Sequence, residues 1–435
     1  MPFLSVLTYK VRAAVSGAVG ALMFIIPAAP GPAGMLGGDG PGHHPATAVQ
    51  PPASTQVVRS AGLFTIACTA AGWCTAGGNY QAAGRPIEPM VAAQSHGRWS
   101  RGVPLVLPAG AAAQPYARVN GIACRSLGNC VVVGDYEYGR SHNLQGFIAT
   151  ESHGRWARAF TPRLPPDAAS PLSALLEAVT CARDGSCTAV GSYQDSSRNA
   201  QTMVLAKPSS GPWRQATEIA SPPGAASNPD AFMTGISCSA PGNCVAVGNY
   251  SVSPSRFEAM GAIESRGAWH RATEITVPRG AIASTFTAIT SVSCLPTGPC
   301  LGVGQYAISA TQSRAMVVTE SGGRFSGAAP ITTLPQGASA KPSTYLLGIS
   351  CGPSGVCFAV GGGRNKAGHS VAMYMVRSGG QWRAAFLAPP PGATAGPREL
   401  SALSSVSCTG RAHCSAAGYY HDGLGAPHAE AASTP

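Results

Sequence analysis

Charge is the first scarcity. Asp, Glu, Lys and Arg make up 11% of the 435 residues, against about a quarter in an average soluble domain. Lysine is nearly missing: only Lys10, Lys207, Lys341 and Lys366 accompany the arginines. Aromatics are 7% of the chain, sparse but regularly spaced. No run of basic residues carries interleaved aromatics, which disfavours nucleic acid as a partner. The ten histidines show no H-x3-H spacing, and no glycine-rich phosphate loop occurs, so neither metal nor cofactor is expected. His43 and His44, close to a chain end, are suited only to adventitious metal. Beyond the N-terminus no stretch is long and apolar enough to span a bilayer.

Turn formers, by contrast, are abundant. With 54 Gly and 37 Pro, roughly a fifth of the chain breaks helices, which excludes a mainly helical protein. Apolar residues are 45%, enough for a large core. The net charge of +11 fits anionic partners such as an acidic glycan, a cell-wall polymer or an acidic envelope protein. Two of those charges, Lys10 and Arg12, flank the apolar run Ala13–Ile26, which has the length of a signal-peptide core. Gly31 and Ala33 suit the −3 and −1 positions of a cleavage site. Residues 1–33 therefore read as a signal peptide, or as an uncleaved anchor reaching about Ala29, with residues 34–42 as a linker.

Fourteen cysteines fall into seven C-x5-C pairs: Cys68–Cys74, Cys124–Cys130, Cys181–Cys187, Cys238–Cys244, Cys294–Cys300, Cys351–Cys357 and Cys408–Cys414. Their first members are 56, 57, 57, 56, 57 and 57 residues apart, a seven-fold internal repeat. Zinc knuckles want closer cysteines and four converging ligands. An even count with constant spacing in an exported chain points to disulfides within each pair. The intervening residues are turn formers, as in Ser-Ala-Pro-Gly-Asn at 239–243.

One unit shows what repeats. Ala231–Cys238 and Cys244–Tyr250 are short apolar strands either side of the closed turn. Phe257–Ser265 is a third strand and Trp269–Val277 a fourth. The second strand ends in Gly-x-Tyr at Tyr80, Tyr136, Tyr193, Tyr250, Tyr306 and Tyr420. The third turn carries Gly-x-Trp at Trp99, Trp156, Trp213, Trp269 and Trp382, with Phe325 in the fifth unit. Residues that recur in nearly every unit read as wedges between units, since a ligand site breaks the symmetry. Four short strands per unit without a helix predict an all-β, seven-bladed β-propeller over residues 43–433, monomeric by default. The seventh unit lacks a fourth strand. Ala46-Thr47-Ala48-Val49 precedes Cys68 by the interval that separates Ala216-Thr217-Glu218-Ile219 from Cys238, so residues ~43–50 are expected to close the last blade.

The run Cys357-Phe-Ala-Val-Gly-Gly-Gly363, with Trp382 after it, resembles a Kelch-type blade. Glu264-Ser-Arg-Gly-Ala-Trp269 and Glu151-Ser-His-Gly-Arg-Trp156 resemble Asp-box turns of sialidase-like propellers, without the aspartate. Overall the chain is similar to secreted actinobacterial propeller repeat proteins with a Cys-x5-Cys hairpin per blade. The resemblance implies fold and export, and little about activity.

Two functions stand against each other. One is a non-catalytic binding or scaffold propeller of the envelope or medium. The other is a glycan-active enzyme or lectin of the sialidase-like group, which needs an asymmetric cluster of Glu, Asp and Tyr at one channel mouth. Glu151, Glu264 and Glu320 recur at the end of the third strand, a structural position. The loops between second and third strands carry Arg85, Arg140, Arg198, Arg256, Arg314 and Arg364, with His421 in the seventh. They form a candidate basic ring for carboxylate- or phosphate-bearing ligands.

Overall fold

The computed structural model describes residues 46–53, 57–140, 143–282, 287–296, 298–388, 390, 393, 400–410, 413–422 and 426–433. The expected signal segment, the linker, and His43 and His44 lie outside them. Among the described residues no helix is long and apolar enough to cross a membrane.

Seven antiparallel sheets form, one per cysteine pair. Blade 4 is typical: Phe232–Ala240, Asn243–Ser253 and Arg256–Ser265 run up and down in sequence order. The outer edge is shorter than the sequence suggests. The expected strand Trp269–Val277 is two pieces, Ala268–Trp269 and Thr273–Ile275, both paired to the third strand. The first strands of neighbouring blades contact one another all the way round, blade 7 against blade 1 included, so they form the inner ring. The protein is a seven-bladed β-propeller.

Each cysteine pair faces itself across the first hairpin, Cys238 opposite Cys244 for example. All seven are bridged, with Cα atoms 3.9–4.1 Å apart, and no free cysteine is left among the described residues. Seven disulfides fit an oxidising, extracellular location.

The Gly of Gly-x-Tyr has a steric origin. In every blade the first strand carries a register shift at the same place, such as Met233/Gly235 and Leu403/Ser405. Such a bulge bends the strand. It drives a carbonyl onto the glycine of the second strand. A Cβ on Gly248 would lie 1.9 Å from the Phe232 oxygen, and one on Gly191 2.0 Å from the Leu175 oxygen. The Gly of Gly-x-Trp serves the turn instead, with φ of +80° at Gly267.

Each of the seven blade interfaces holds an apolar cluster. Trp99, Trp156, Trp213, Trp269, Trp382 and Phe325 pack against them as wedges. Polar side chains join the inner strands as well. Ser237, Ser293, Ser350 and Ser407, each just before a first cysteine, accept the amide N–H of the next blade's first cysteine at 2.9–3.0 Å. Thr234 and Thr290 donate to Ile289 and Leu346 carbonyls on the next blade at 2.9 and 2.7 Å.

The last blade is closed as expected. Ser401–Cys408, Cys414–His421 and Pro427–Ser433 are joined by Thr47–Ala48, with Thr47 opposite Ala431 and Ala48 opposite Glu430. Ala46 and Val49 are buried, as are their counterparts Ala216 and Ile219 in blade 3.

Candidate functional site

Up-and-down order gives the propeller two unlike faces. The disulfide turns and the Gly-x-Trp turns share one face, and in blades 1, 2 and 4 they bond directly: the amides of Gly97, Gly154 and Gly267 donate to the carbonyls of Gly72, Gly128 and Gly242. The other face carries the second-to-third-strand connections and the links between blades. There, Ala169 donates to Gln194 and Gln194 to Ser173, fixing the incoming link onto the connection of its own blade.

All six sequence-predicted arginines fall at this second face, but not all in loops. Arg85, Arg140 and Arg198 sit in or beside turns, whereas Arg256, Arg314 and Arg364 belong to strand ends. Two are tied to carboxylates: Arg256 at 2.6 Å from Glu258, and Arg85 at 3.5 Å from Glu88. Arg198 holds a left-handed turn (φ +67°) and donates to the Ser170 carbonyl at 3.1 Å. Arg140 and Arg314 are exposed. His421 is half-buried, and burial lowers its pKa despite the opposing pull of Asp422.

The blade tyrosines are structural. Tyr136, Tyr193 and Tyr250 are fully buried. Tyr193 donates to Asp167 at 3.0 Å and to Glu218 at 3.2 Å, Tyr250 to Glu274 at 3.0 Å, and Tyr80 to Glu88 at 2.5 Å. Burial, reinforced by these acids, raises the pKa of Tyr80, Tyr193 and Tyr250, so they stay protonated. The recurring Glu151 and Glu264 are likewise raised by burial.

Asymmetry appears near the inner ring, where the sequence showed none. In register, Arg118 faces Asp135; the same places in other blades hold Gly62–Asn79, Leu175–Ser192, Phe232–Asn249, Ala288–Gln305, Tyr345–Gly362 and Ala402–Tyr419. Arg118 Nε lies 3.1 Å from Asp135 Oδ1, both side chains sealed from solvent. Asn120 donates to that oxygen at 2.6 Å and to the Leu176 carbonyl of blade 3 at 2.9 Å. Burial works against the Arg118 charge, yet Asp135, Tyr116 and Glu177 hold its pKa above the ordinary value. Asn120, held by the pair, ties blade 2 to blade 3.

Blade 7 breaks the pattern a second time. Opposite the motif glycine, the third strand presents Met90, Met203, Met260, Met316 and Met373, and Phe147 in blade 2; blade 7 presents Glu430. Glu430 is wholly buried and neither carboxyl oxygen has a hydrogen-bond partner. Desolvation lifts its pKa to about 8. Among the described residues no group of three or more His, Cys, Asp or Glu could hold a metal.

No protein-family model and no curated protein sequence matches the chain. Solved structures resemble it in fold. A Hadza microbial sialidase is similar over 86% of this chain and 65% of its own, at 10% identity and a TM-score of 0.46. A protein of unknown function from Dyadobacter fermentans is similar over 76% and 96%, at 11% identity and 0.46. The sialidase of Trypanosoma rangeli in complex with the inhibitor DANA is similar over 87% and 55%, at 10% identity and 0.45. The chain thus spans 65% and 55% of the two sialidases' lengths.

Proposed function

We propose that this protein is an exported, non-catalytic binding propeller that takes acidic polymers, such as carboxylate- or phosphate-bearing glycans and cell-wall chains, on its loop face. The contacts are Arg85, Arg140, Arg198, Arg256, Arg314 and Arg364. One observation carries the reading. Six of seven blades bring an arginine to the same connection, hence to one face, while many of the carboxylates are held by blade tyrosines or buried between blades. Residues 1–33 supply export and are cleaved or retained as an anchor. The blades belong with the secreted, Kelch-like actinobacterial repeats that the sequence resembles.

Heparin affinity chromatography tests this. Retention should fall steeply with salt, since exposed charges are screened beyond about 8 Å at physiological ionic strength. Replacing the exposed Arg140 and Arg314 together by Ser should weaken it sharply at unchanged melting temperature. Equal loss on replacing Arg158, Arg214 and Arg271, which lie beyond the third strands on the outer edges, would mean diffuse charge and no site.

The alternative, a glycan-active propeller of the sialidase-like group, needs a tyrosine hydroxyl open beside a carboxylate at the channel. The inner tyrosines Tyr345 and Tyr419 speak against it: Tyr345 is buried and the Tyr419 hydroxyl is sealed. Turnover of a fluorogenic sialoside would favour it over binding alone.

A further inference from the structure

The sixth tryptophan, Trp73, falls outside the Gly-x-Trp pattern. It ends the disulfide turn of blade 1, at the place of Asn129, Ser186, Asn243, Pro299 and Val356 in blades 2 to 6. Its ring lies 4.3 Å, centroid to centroid, from that of His96, a residue in left-handed conformation (φ +50°). Blade 7 carries His413 at the same place. Trp73 and His413 thus hold the same turn position in the two blades that meet at the blade 7–blade 1 seam, on the disulfide face.

A cleft of about 490 Å³ opens at that seam, within the range of small-molecule sites. Gly72 and Gly97, next to Trp73 and His96, form part of its wall. Trp99 offers a half-buried indole, and Thr47, Ser415 and Ser433 offer hydroxyls, with Ser415 and Ser433 2.8 Å apart. Gln94 is 3% exposed; its amide donates to the Gly97 carbonyl at 3.2 Å, and its carbonyl oxygen has no partner. Among the described residues no Asp, Glu, Lys or Arg lines the cleft. The corresponding cleft between blades 3 and 4 is about 150 Å³ and is lined by Lys207, Arg214 and Glu264. In a chain of net charge +11, a binding-sized cleft whose described wall carries no Asp, Glu, Lys or Arg suits a neutral ligand better than an ionic one. An indole face with hydroxyls and an amide suits a ring that is apolar on one face and hydroxylated at its edge.

We propose that this cleft binds a neutral sugar unit of a glycan, stacked on Trp99 and hydrogen-bonded by Gln94 and the seam hydroxyls. It lies on the face opposite the arginines and stands independently of them.

The test is calorimetric titration of the full chain with cellotriose, maltotriose, mannotriose and chitotriose at about 1 M NaCl, where the screening length falls to about 3 Å and the arginines are silenced. At least one trisaccharide should bind saturably. Trp99→Ala should weaken it about tenfold or more, and so should Ala71→Trp, which fills the cleft from an exposed turn position. Trp156→Ala removes the same wedge one blade on and should leave binding intact, which separates loss of the site from loss of packing. No binding by any trisaccharide, or equal loss in Trp156→Ala, overturns the proposal. Heparin retention at low salt reports separately on the loop face.

Discussion

Replacing Glu430 isolates the energetic consequence of one misfit in an otherwise repeated core. An unfolded carboxyl titrates near 4.5, and the buried one near 8. The folded protein therefore holds a proton that the unfolded chain has lost, so stability is full below pH 4.5 and falls until pH 8. At about 1.4 kcal/mol per unit, the loss across that window is about 5 kcal/mol. Two substitutions separate charge from shape. Glu430→Gln stays neutral and should abolish the slope while keeping stability near the wild-type acid value. Glu430→Met, which restores the residue of five other blades, should abolish the slope and add about 1–3 kcal/mol by removing unsatisfied polar atoms. Equilibrium urea midpoints at half-unit pH steps measure all three proteins, and differences from wild type remove other groups, such as Asp230, whose pKa burial raises to about 6. Because Glu430 stands opposite Ala48, the protection of the amides at residues 47–49, corrected for intrinsic exchange, should fall as pH rises toward 8 in wild type alone. A flat wild-type profile, or a slope that survives in Glu430→Gln, refutes the reasoning.

Three further outcomes follow from the fold. Mass spectrometry without reduction should find no free thiol, and replacing Cys238 and Cys244 by Ser should cost about 2 kcal/mol or less, since the closed loop is short. Gly248→Ala should destabilise by about 1–3 kcal/mol in urea unfolding, because its Cβ would strike the Phe232 carbonyl; a neutral effect would show that the bulge relaxes freely. Removing residues 34–50 should lower the melting temperature by several degrees in calorimetry, and an unchanged temperature would deny the closing strand its role.

The architecture was legible because its causes recur. The cysteine interval gave the blade number, and counting back from Cys68 placed Thr47 without any local strand signal. The first-strand bulge was not legible, since nothing in a residue such as Leu176 or Leu403 marks it; the glycine opposite was visible only as part of a motif. The outer strands were overestimated because Trp269–Val277 alternates well but binds the third strand only where the chain returns to it. The loop arginines were legible as a set, but not the ion pairs that tie Arg256 and Arg85 to acids two and three residues on. Arg118, Asp135 and Glu430 escaped because single charges in apolar strands look like any strand residue until register shows what stands in their place. Trp73 was countable as the odd tryptophan, and its exclusion from the pattern was the available signal.

Covalent staples and ring closure act on separate length scales. Each disulfide joins residues six apart, so it forms as soon as its own hairpin does and needs no other blade. Closure joins Thr47 to Ala431 and waits for nearly the whole chain. Its loop is roughly seven repeats long, yet loop entropy grows only logarithmically, adding about 2 kcal/mol over joining neighbouring blades. A molecule whose ring has opened at the blade 7 seam therefore keeps every hairpin stapled. It resembles a hinged necklace of prefolded beads and recloses without repeating any oxidation.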